Sequence, residues 1–323
     1  KGVAKDGSAT TVLTFAGTED LGGGTSAVFK LQLTPDFNTG GGVAQANTSA
    51  GSVPAPTGQE AFVGLADQKL GTLKLGRNNS NVLAAWGVGS VFGTAIGSGY
   101  SSNGNVFTRY STTGVSAYNT APTRFNNSIR YESPSFSGLT ASALYVPKID
   151  DNTDGTKNRQ GVTDLGLKYS NGPLNVALAT GSVVSGVAVK DKETNLGASY
   201  DLGVAQLMAF NVSTTIGATN TKYTATEIGA KIPMGSGYIP VSYATGKNDQ
   251  NSQSGNQFAV GYVHNLSKRT AVYFRAESIN DKARGMNAAV NPTSLVGAAS
   301  AAHSDDCFVC TCHIQRPRSL LVI

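Results

Sequence analysis

Apolar residues alternate with polar or small residues in segments that recur along most of the chain. In one such segment, Phe29, Leu31 and Leu33 have one parity, whereas Lys30 and Gln32 have the other. Short turns rich in glycine and longer polar loops separate these segments alternately. Successive side chains of a β-strand point to opposite faces, so the pattern predicts about fourteen strands, each with one apolar and one polar face.

Composition helps to distinguish a soluble from a membrane β-protein. Charged residues are 14% of the 323 residues, compared with about 25% in soluble domains, and 39 residues are glycine. No apolar run approaches the roughly 18 residues of a transmembrane helix, whereas a membrane barrel needs an apolar side chain only at every second position. A soluble all-β protein could alternate in the same way, but a soluble core of this size normally contains more Leu, Ile and Phe. The sequence therefore predicts an all-β fold, a transmembrane antiparallel β-barrel.

One long window of the chain, residues 68–131, contains six basic residues and no Asp or Glu. Within it, residues 78–122 are rich in Gly, Ser, Asn and Thr and are too many for an ordinary connection. Alternation in the strand that follows predicts a polar face with Arg124, Asn126, Ser128 and Arg130 and an apolar face with Phe125, Ile129 and Tyr131. We therefore expect residues 78–122 to fold into a positively charged lumen.

Arg77 does not follow the alternation, because strict parity from Leu73 would place it on the apolar face. Gly76, just before it, offers a position for a β-bulge or a strand end that re-aims the arginine side chain, so parity alone does not assign Arg77 to a face. The candidate residues for the narrowest part of the lumen are all basic, and they are Lys30, Lys74, Arg77, Arg109, Arg124, Arg130 and Lys168.

Other functions have little support in the sequence. The net charge of +5 is dispersed along the chain, which argues against a nucleic-acid partner. His264 is the one histidine before residue 300, its parity is lipid-facing, and no Ser/His/Asp arrangement is discernible, so we expect neither an enzyme nor a cofactor. Cys307, Cys310, Cys312 and His313 lack the spacing of a zinc site, so no metal is expected. The alternative to a channel is a surface β-structured adhesin or a structural outer-membrane protein without channel activity.

Several short motifs, in order, resemble the general porin family of Gram-negative outer membranes. They are residues 17–24 (GTEDLGGG), 62–65 (FVGL), 75–77 (LGR), 127–134 (NSIRYESP) and 266–270 (LSKRT). The resemblance implies a 16-stranded barrel, usually trimeric, whose third extracellular loop folds inward to form the constriction. Arg77 and Arg130 match the family's constriction arginines, and residues 78–122 match its constriction loop.

The resemblance also implies the function and the setting. We expect a passive diffusion channel for small hydrophilic solutes, selective for anions, in the outer membrane of a Gram-negative bacterium. The expected partners are two further copies of the chain in a homotrimer, outer-membrane lipid including lipopolysaccharide, and small anions. Two features depart from the family: Ala16 stands where relatives often carry a basic residue, and the constriction loop has no carboxylate facing the arginines.

Both ends of the chain also depart from the family pattern. We expect residues 1–299 to form the barrel, with the first strand missing, and residues 300–323 to be an atypical tail. The tail abandons alternation and places Arg316, Pro317 and Arg318 before an apolar run, so we hypothesise a non-native origin such as a frame shift or a chimeric end. Unpaired edges are costly in a membrane. An open fourteen-stranded sheet would assemble poorly unless part of the tail substitutes for a strand.

Overall fold

The computed structural model describes residues 12–33, 59–93, 124–147, 149–150, 158–159, 161–185, 189–217, 220–249, 254–267, 271–281, 306–315 and 319–322. One helix lies in these ranges, α1 (Asn81–Gly89). The strands are β1 (Leu13–Gly22), β2 (Thr25–Leu33), β3 (Ala61–Asp67), β4 (Gly71–Asn79), β5 (Arg124–Glu132), β6 (Leu139–Val146), β7 (Ile149–Asp150), β8 (Asn158–Arg159), β9 (Val162–Asn171), β10 (Leu174–Ser185), β11 (Val189–Asp201), β12 (Gln206–Ile216), β13 (Thr221–Met234), β14 (Gly237–Asn248), β15 (Ser254–Asn265), β16 (Ala271–Asp281), β17 (Asp306–Gln315) and β18 (Ser319–Val322). Among the described residues, no helix has the length and apolarity needed to cross a membrane.

Sixteen of the strands form a single sheet, and from β1 to β17 each of its strands pairs with the next one along the chain. The fourteen strands β1–β6 and β9–β16, which pair antiparallel with one another, are the ones that alternation predicts, so the all-β fold is confirmed. Strands β7 and β8 form a separate hairpin in the connection between β6 and β9. Consecutive antiparallel pairing of this kind leaves only two edges to be closed, at β1 and β16.

The C-terminal segment supplies partners for both of these edges. Strand β17 pairs antiparallel with β16, and β18 pairs parallel with β1 over four residue pairs, from Leu13 with Ser319 to Ala16 with Val322. Because β17 and β18 are consecutive in the chain, this segment carries the sheet from β16 back to β1. The sequence predicts an open fourteen-stranded sheet unless part of the tail substitutes for a strand. In the structure, the tail segments β17 and β18 do take the place of a strand. The origin of the tail stays a hypothesis.

The two faces of the sheet differ in the way that alternation predicts. Large apolar side chains are exposed on the outer face of nearly every strand, and examples are Val63, Leu65, Leu73, Leu75, Ile129, Leu165, Leu167, Leu178, Leu196, Ile228, Tyr243, Phe258 and Phe274. A continuous exposed apolar surface of this extent is unfavourable in water and is typical of a lipid-facing band. The inner face carries polar side chains and four small apolar clusters. Three of these clusters include residues of α1 or of the segment that follows it, and the fourth lies around Leu144.

Candidate pore constriction

Helix α1 begins directly after β4 and has a conventional N-terminus. The hydroxyl of Ser80 accepts a hydrogen bond from the backbone N–H of Leu83 at 3.1 Å, which satisfies one of the free donors of the first turn. The helix contains no charged residue, and Val82, Ala85 and Trp86 are at most 2% exposed. A short uncharged helix with buried side chains depends on the surface beneath it for its stability.

That surface is the inner wall formed by β9–β12. The N–H of Asn81 donates to Asp164 Oδ2 at 2.6 Å, and the Asn81 side-chain amide donates to the Asp164 carbonyl at 2.9 Å. Asn195 Nδ2 donates to the Val82 carbonyl at 3.1 Å. The ring of Trp86 stacks on Phe210 with centroids 6.0 Å apart and planes inclined by 14°. Residues from three strands therefore fix the helix inside the barrel.

Two inner-wall glycines allow this close approach. A Cβ atom on Gly197 would collide with the carbonyl oxygen of Ala85 in α1. A Cβ atom on Gly229 would lie 2.8 Å from a Val91 methyl group, and it would also collide with the neighbouring strand at Val241 O. At Gly197 all the nearest obstructing atoms belong to α1. The absence of a side chain at this position is therefore required for packing of the helix on the wall and not for strand pairing.

The segment after α1 continues along the inner wall towards β16. The N–H of Val91 faces Glu227 Oε1 at 3.4 Å, and the guanidinium carbon of Arg275 lies 4.4 Å from the centre of the Phe92 ring. Residues 78–93 thus run inside the barrel from β4 past β9 to β16. The remainder of the predicted loop, including Arg109, lies outside the described residues.

The opposite wall, β2–β5, carries basic side chains. Lys74 and Arg130 are direct cross-strand neighbours on β4 and β5. Both bind Glu132: Lys74 Nζ lies 2.5 Å from Oε2, and Arg130 donates to Oε1 through Nε at 3.1 Å and Nη2 at 2.9 Å. Arg130 Nη1 also donates to the Asn79 carbonyl at 2.8 Å, and the residue is 6% exposed. Two cations therefore share one carboxylate.

A second group of charges lies around Glu60. Lys30 Nζ is 2.6 Å from Glu60 Oε2, and the N–H of Asn79 faces Glu60 Oε1 at 3.4 Å. The guanidinium of Arg124 is attracted by Glu60 and repelled by that of Arg77, so these three side chains are within electrostatic range of one another. Carboxylates from β5 and from the residue before β3 thus face the basic cluster.

Arg77 lies at an irregularity, as the sequence predicts. Register between β4 and β5 shifts between Gly76 and Asn78, and Gly76 has φ 133°. The additional residue lies on β5, however, where Asn127 has φ 52°. Arg77 Nε donates to the Gln59 carbonyl at 2.9 Å and Nη1 donates to Asn126 Oδ1 at 2.7 Å. Its guanidinium is therefore held by polar groups at the ends of β3 and β5, away from the apolar band.

The irregularity at Asn127 corrects one sequence prediction. Strict alternation places Phe125 on the apolar outer face with Ile129 and Tyr131, whereas the structure packs Phe125 against Leu144 and its neighbours on the inner side. The extra residue reverses the parity of everything before it on β5. The predicted polar face with Arg124, Asn126, Ser128 and Arg130 is therefore interrupted: the strand positions of Arg124 and Asn126 have the opposite parity to those of Ser128 and Arg130. The guanidinium of Arg124 is nevertheless within electrostatic range of Glu60.

Lys168 lies on β9 between the outward-facing Leu167 and Tyr169, and its cross-strand neighbours are Thr140 and Ala177. It is exposed, and among the described residues it takes part in no ion pair. Ala177 also packs on α1, which places Lys168 on the inner wall next to the helix seat.

A comparison with known proteins agrees with this architecture. The profile of the Gram-negative porin family matches residues 2–284. The chain belongs to the Gram-negative porin family. Outer membrane porin protein 32 of Delftia acidovorans is 31% identical over 293 residues, covering 87% of this chain and 77% of the relative. An outer membrane porin protein of Bordetella pertussis is 29% identical over 302 residues, covering 80% of this chain and 73% of the relative.

Among solved structures, an anion-selective porin from Comamonas acidovorans superimposes with a TM-score of 0.70 at 28% identity, covering 86% of this chain and 81% of that chain. The porin described here is accordingly a β-barrel protein of the Gram-negative outer membrane.

Sequence reasoning missed the carboxylates of the porin lumen. Two of them could have been found in the sequence. Glu132 follows Arg130 by two residues and so has the same parity, which predicts an inward side chain, and Glu60 stands just before a predicted strand. Asp164 could not have been found in this way, because only the fold brings β9 under Asn81 and close to Arg130. The loop itself has no acid, so the strands provide the negative charge near the arginines.

Proposed function

We propose that this porin is a passive diffusion channel that favours small anions. The carrying observation is the pairing of Lys74 with Arg130 beside a single shared carboxylate, Glu132. The charged residues that we assign to the constriction are the bases Lys30, Lys74, Arg77, Arg124, Arg130 and Lys168 and the acids Glu60, Glu132 and Asp164. Among these residues, six bases less three acids leave a net charge of about +3.

The size of this excess is sufficient for selectivity. One unit charge about 8 Å from a permeating ion contributes roughly 0.5 kcal/mol in water. A net charge of three then gives about 1.5 kcal/mol before salt screening, which corresponds to roughly tenfold enrichment of anions and similar depletion of cations. The structure of the Comamonas acidovorans porin, described as anion-selective, supports the same assignment by similarity.

We further propose that α1 and the rest of residues 78–122 form the constriction and that the basic side chains named above line it. The seat of α1 on Asp164, Asn195 and Phe210 supports this, because it keeps the start of the segment inside the barrel. The homotrimer remains part of the proposal through the family resemblance.

Reconstitution into a planar bilayer tests the proposal. The zero-current potential in a salt gradient should have the sign of chloride preference over potassium, and the preference should fade as salt rises because the Debye length shortens from about 10 Å at 0.1 M to about 3 Å at 1 M. Preference for potassium at low salt would refute anion selectivity. Folded protein without conductance would instead favour the adhesin or structural alternative.

A further inference from the structure

Arg130 and Asp164 lie in one row of the inner wall, on either side of Leu144. Leu144 on β6 is the cross-strand neighbour of both Arg130 on β5 and Asp164 on β9. Two strand spacings, about 10 Å, separate the Cα atoms of the two charged residues, and an extended arginine and an aspartate can bridge that distance. The side chains are within electrostatic range, and the residues are 6% and 0% exposed. A direct ion pair is therefore within reach, yet these two described residues form none.

Asp164 has an oxygen available for such a pair. Its Oδ2 accepts a hydrogen bond from the Asn81 N–H at 2.6 Å, whereas its buried Oδ1 has no hydrogen-bond partner within the described part of the chain. A buried carboxylate oxygen without a donor is unfavourable, and a bond from a guanidinium is among the strongest that it can accept. The surrounding structure must therefore hold Arg130 away from Asp164.

Residues 79–81, at the start of the inner segment, bind both charged groups. Arg130 Nη1 donates to the Asn79 carbonyl at 2.8 Å, and two residues later the N–H of Asn81 donates to Asp164. The guanidinium is thus bonded to one end of this short stretch and the carboxylate to the other. Displacement of residues 79–81 would release both groups at once.

The Asn81 side chain fixes the position of this stretch on the wall. Its Nδ2 donates to the Asp164 carbonyl at 2.9 Å, and its Oδ1 accepts from Ser142 Oγ at 2.7 Å. Asn81 is 2% exposed and lies over Gly166, where an added Cβ atom would be 2.8 Å from Asn81 Cβ and 2.9 Å from Asn81 Cγ. Asn81→Ala would keep the N–H group but lose both side-chain bonds that hold it in place.

We propose that Asn81 is a positioning residue for ion selectivity, because it prevents Arg130 from pairing with Asp164. While Asn81 is in place, the guanidinium stays beside Lys74 and Glu132. When Asn81 is displaced, Arg130 turns towards the wall and donates to Asp164 Oδ1. The net charge of the lumen is unchanged, but the cation lies further from a passing ion and acts on it less. The inference rests on the proposed function, since it concerns the preference of the pore for anions.

Permeability ratios of single and double variants, obtained from zero-current potentials at about 0.1 M salt, test the proposal. The screened potential of a unit charge roughly halves when its distance from the ion increases from about 8 Å to about 11 Å. Asn81→Ala should therefore reduce the anion-to-cation permeability ratio about 1.4-fold, compared with about twofold for Arg130→Gln. In the Arg130→Gln or the Asp164→Asn background, Asn81→Ala should have no further effect, because one member of the new ion pair is absent.

Two further variants separate this role from a general loosening of the inner segment. Gly166→Ala displaces Asn81 from the wall without changing its side chain, and it should lower the ratio only while the Arg130 charge is present. Asn195→Ala removes the bond to the Val82 carbonyl in α1, and any change that it causes should be the same with and without the Arg130 charge.

The outcomes distinguish this inference from the proposed function. If the wild-type channel prefers anions but neither Asn81→Ala nor Gly166→Ala changes the ratio, the positioning role is refuted and the channel proposal stands. An equal effect of Asn81→Ala in every background would also refute it, because Asn81 would then support the segment and not Arg130. A wild-type channel that prefers potassium would refute the proposed selectivity, and the positioning role with it.

Discussion

Substitutions in the Lys74–Glu132 ion pair can make the charge of the constriction either more negative or more positive at the same position. Lys74→Gln removes a cation and leaves Glu132 bound to Arg130, whereas Glu132→Gln removes an anion and leaves both cations. The Lys74 and Glu132 side chains are 18% and 32% exposed. In Glu132→Gln the buried Arg130 keeps its hydrogen bond to the Asn79 carbonyl, and the amide oxygen of the glutamine can still accept from its guanidinium. We expect Lys74→Gln to reduce anion preference, Glu132→Gln to increase it, and the double variant to restore it.

The expected size follows from Coulomb's law with screening. A unit charge about 8 Å away contributes roughly 0.5 kcal/mol in water, and screening at about 0.1 M salt reduces this to roughly 0.2 kcal/mol. Anion and cation shift in opposite directions, so each substitution should change the anion-to-cation permeability ratio about twofold. At about 1 M salt the same change should fall to roughly 10%.

The permeability ratio is obtained from the zero-current potential in a salt gradient. It should be measured at low and at high salt for the wild type, Lys74→Gln, Glu132→Gln and the double variant. Lys69→Gln is the matched control, because Lys69 is an exposed lysine in the short turn between β3 and β4 and forms no ion pair with the carboxylates of the constriction among the described residues. Shifts of the same sign for Lys74→Gln and Glu132→Gln would refute the electrostatic reasoning. Shifts that persist at high salt would point to altered pore width instead.

Three further substitutions test the fold that supports the constriction. Gly197→Ala places a Cβ atom against the Ala85 carbonyl oxygen and should cost about 1–3 kcal/mol, seen as loss of the heat-resistant band on unboiled gels at a lower temperature. Trp86→Ala removes the stacking on Phe210 and a buried indole, and should destabilise the seat of α1 by about 3–5 kcal/mol and alter single-channel conductance. Leu178→Arg puts a charge in the outer apolar band and should reduce the free energy of folding into lipid vesicles by about 2–4 kcal/mol.

Alternation alone predicts most of the barrel, because one rule with a period of two assigns every side chain of a regular strand to a face. The outward positions of Leu165, Leu167, Leu196 and Phe258 follow from it directly. The rule fails where a residue is inserted, as at Asn127, since one additional residue reverses the faces of everything before it. The predicted outer position of Phe125 is wrong for this reason. Asn adopts a positive φ more often than most residues, but an Asn in a sequence is only a weak sign that a bulge lies there.

The candidate site was only partly predictable, for a different reason. Basic residues are visible in the sequence as a window without acid, but their partners come from strands distant in the chain. Glu60 is thirty residues from Lys30, and Asp164 is 83 residues from Asn81. Pairings over such separations depend on the curvature of the sheet and on the path of the segment inside it. Likewise, the role of Gly197 becomes visible only when α1 lies against it.

The acids of the inner wall form two groups, one buried near the inner segment and one, Glu60 and Glu132, paired with basic side chains. Asp164, Glu193 and Glu227, on β9, β11 and β13, are at most 4% exposed, and two of them face backbone N–H groups of residues 81 and 91. Lys30, Lys74 and Lys168 are more exposed on the lumen side. A carboxylate covered by the inner segment and bonded to its amides acts mainly on the position of that segment, whereas a solvated cation acts on the ions passing it. Under the proposed function, the exposed basic side chains and the acids paired with them, Glu60 and Glu132, would then act on a permeating anion more than the buried carboxylates do.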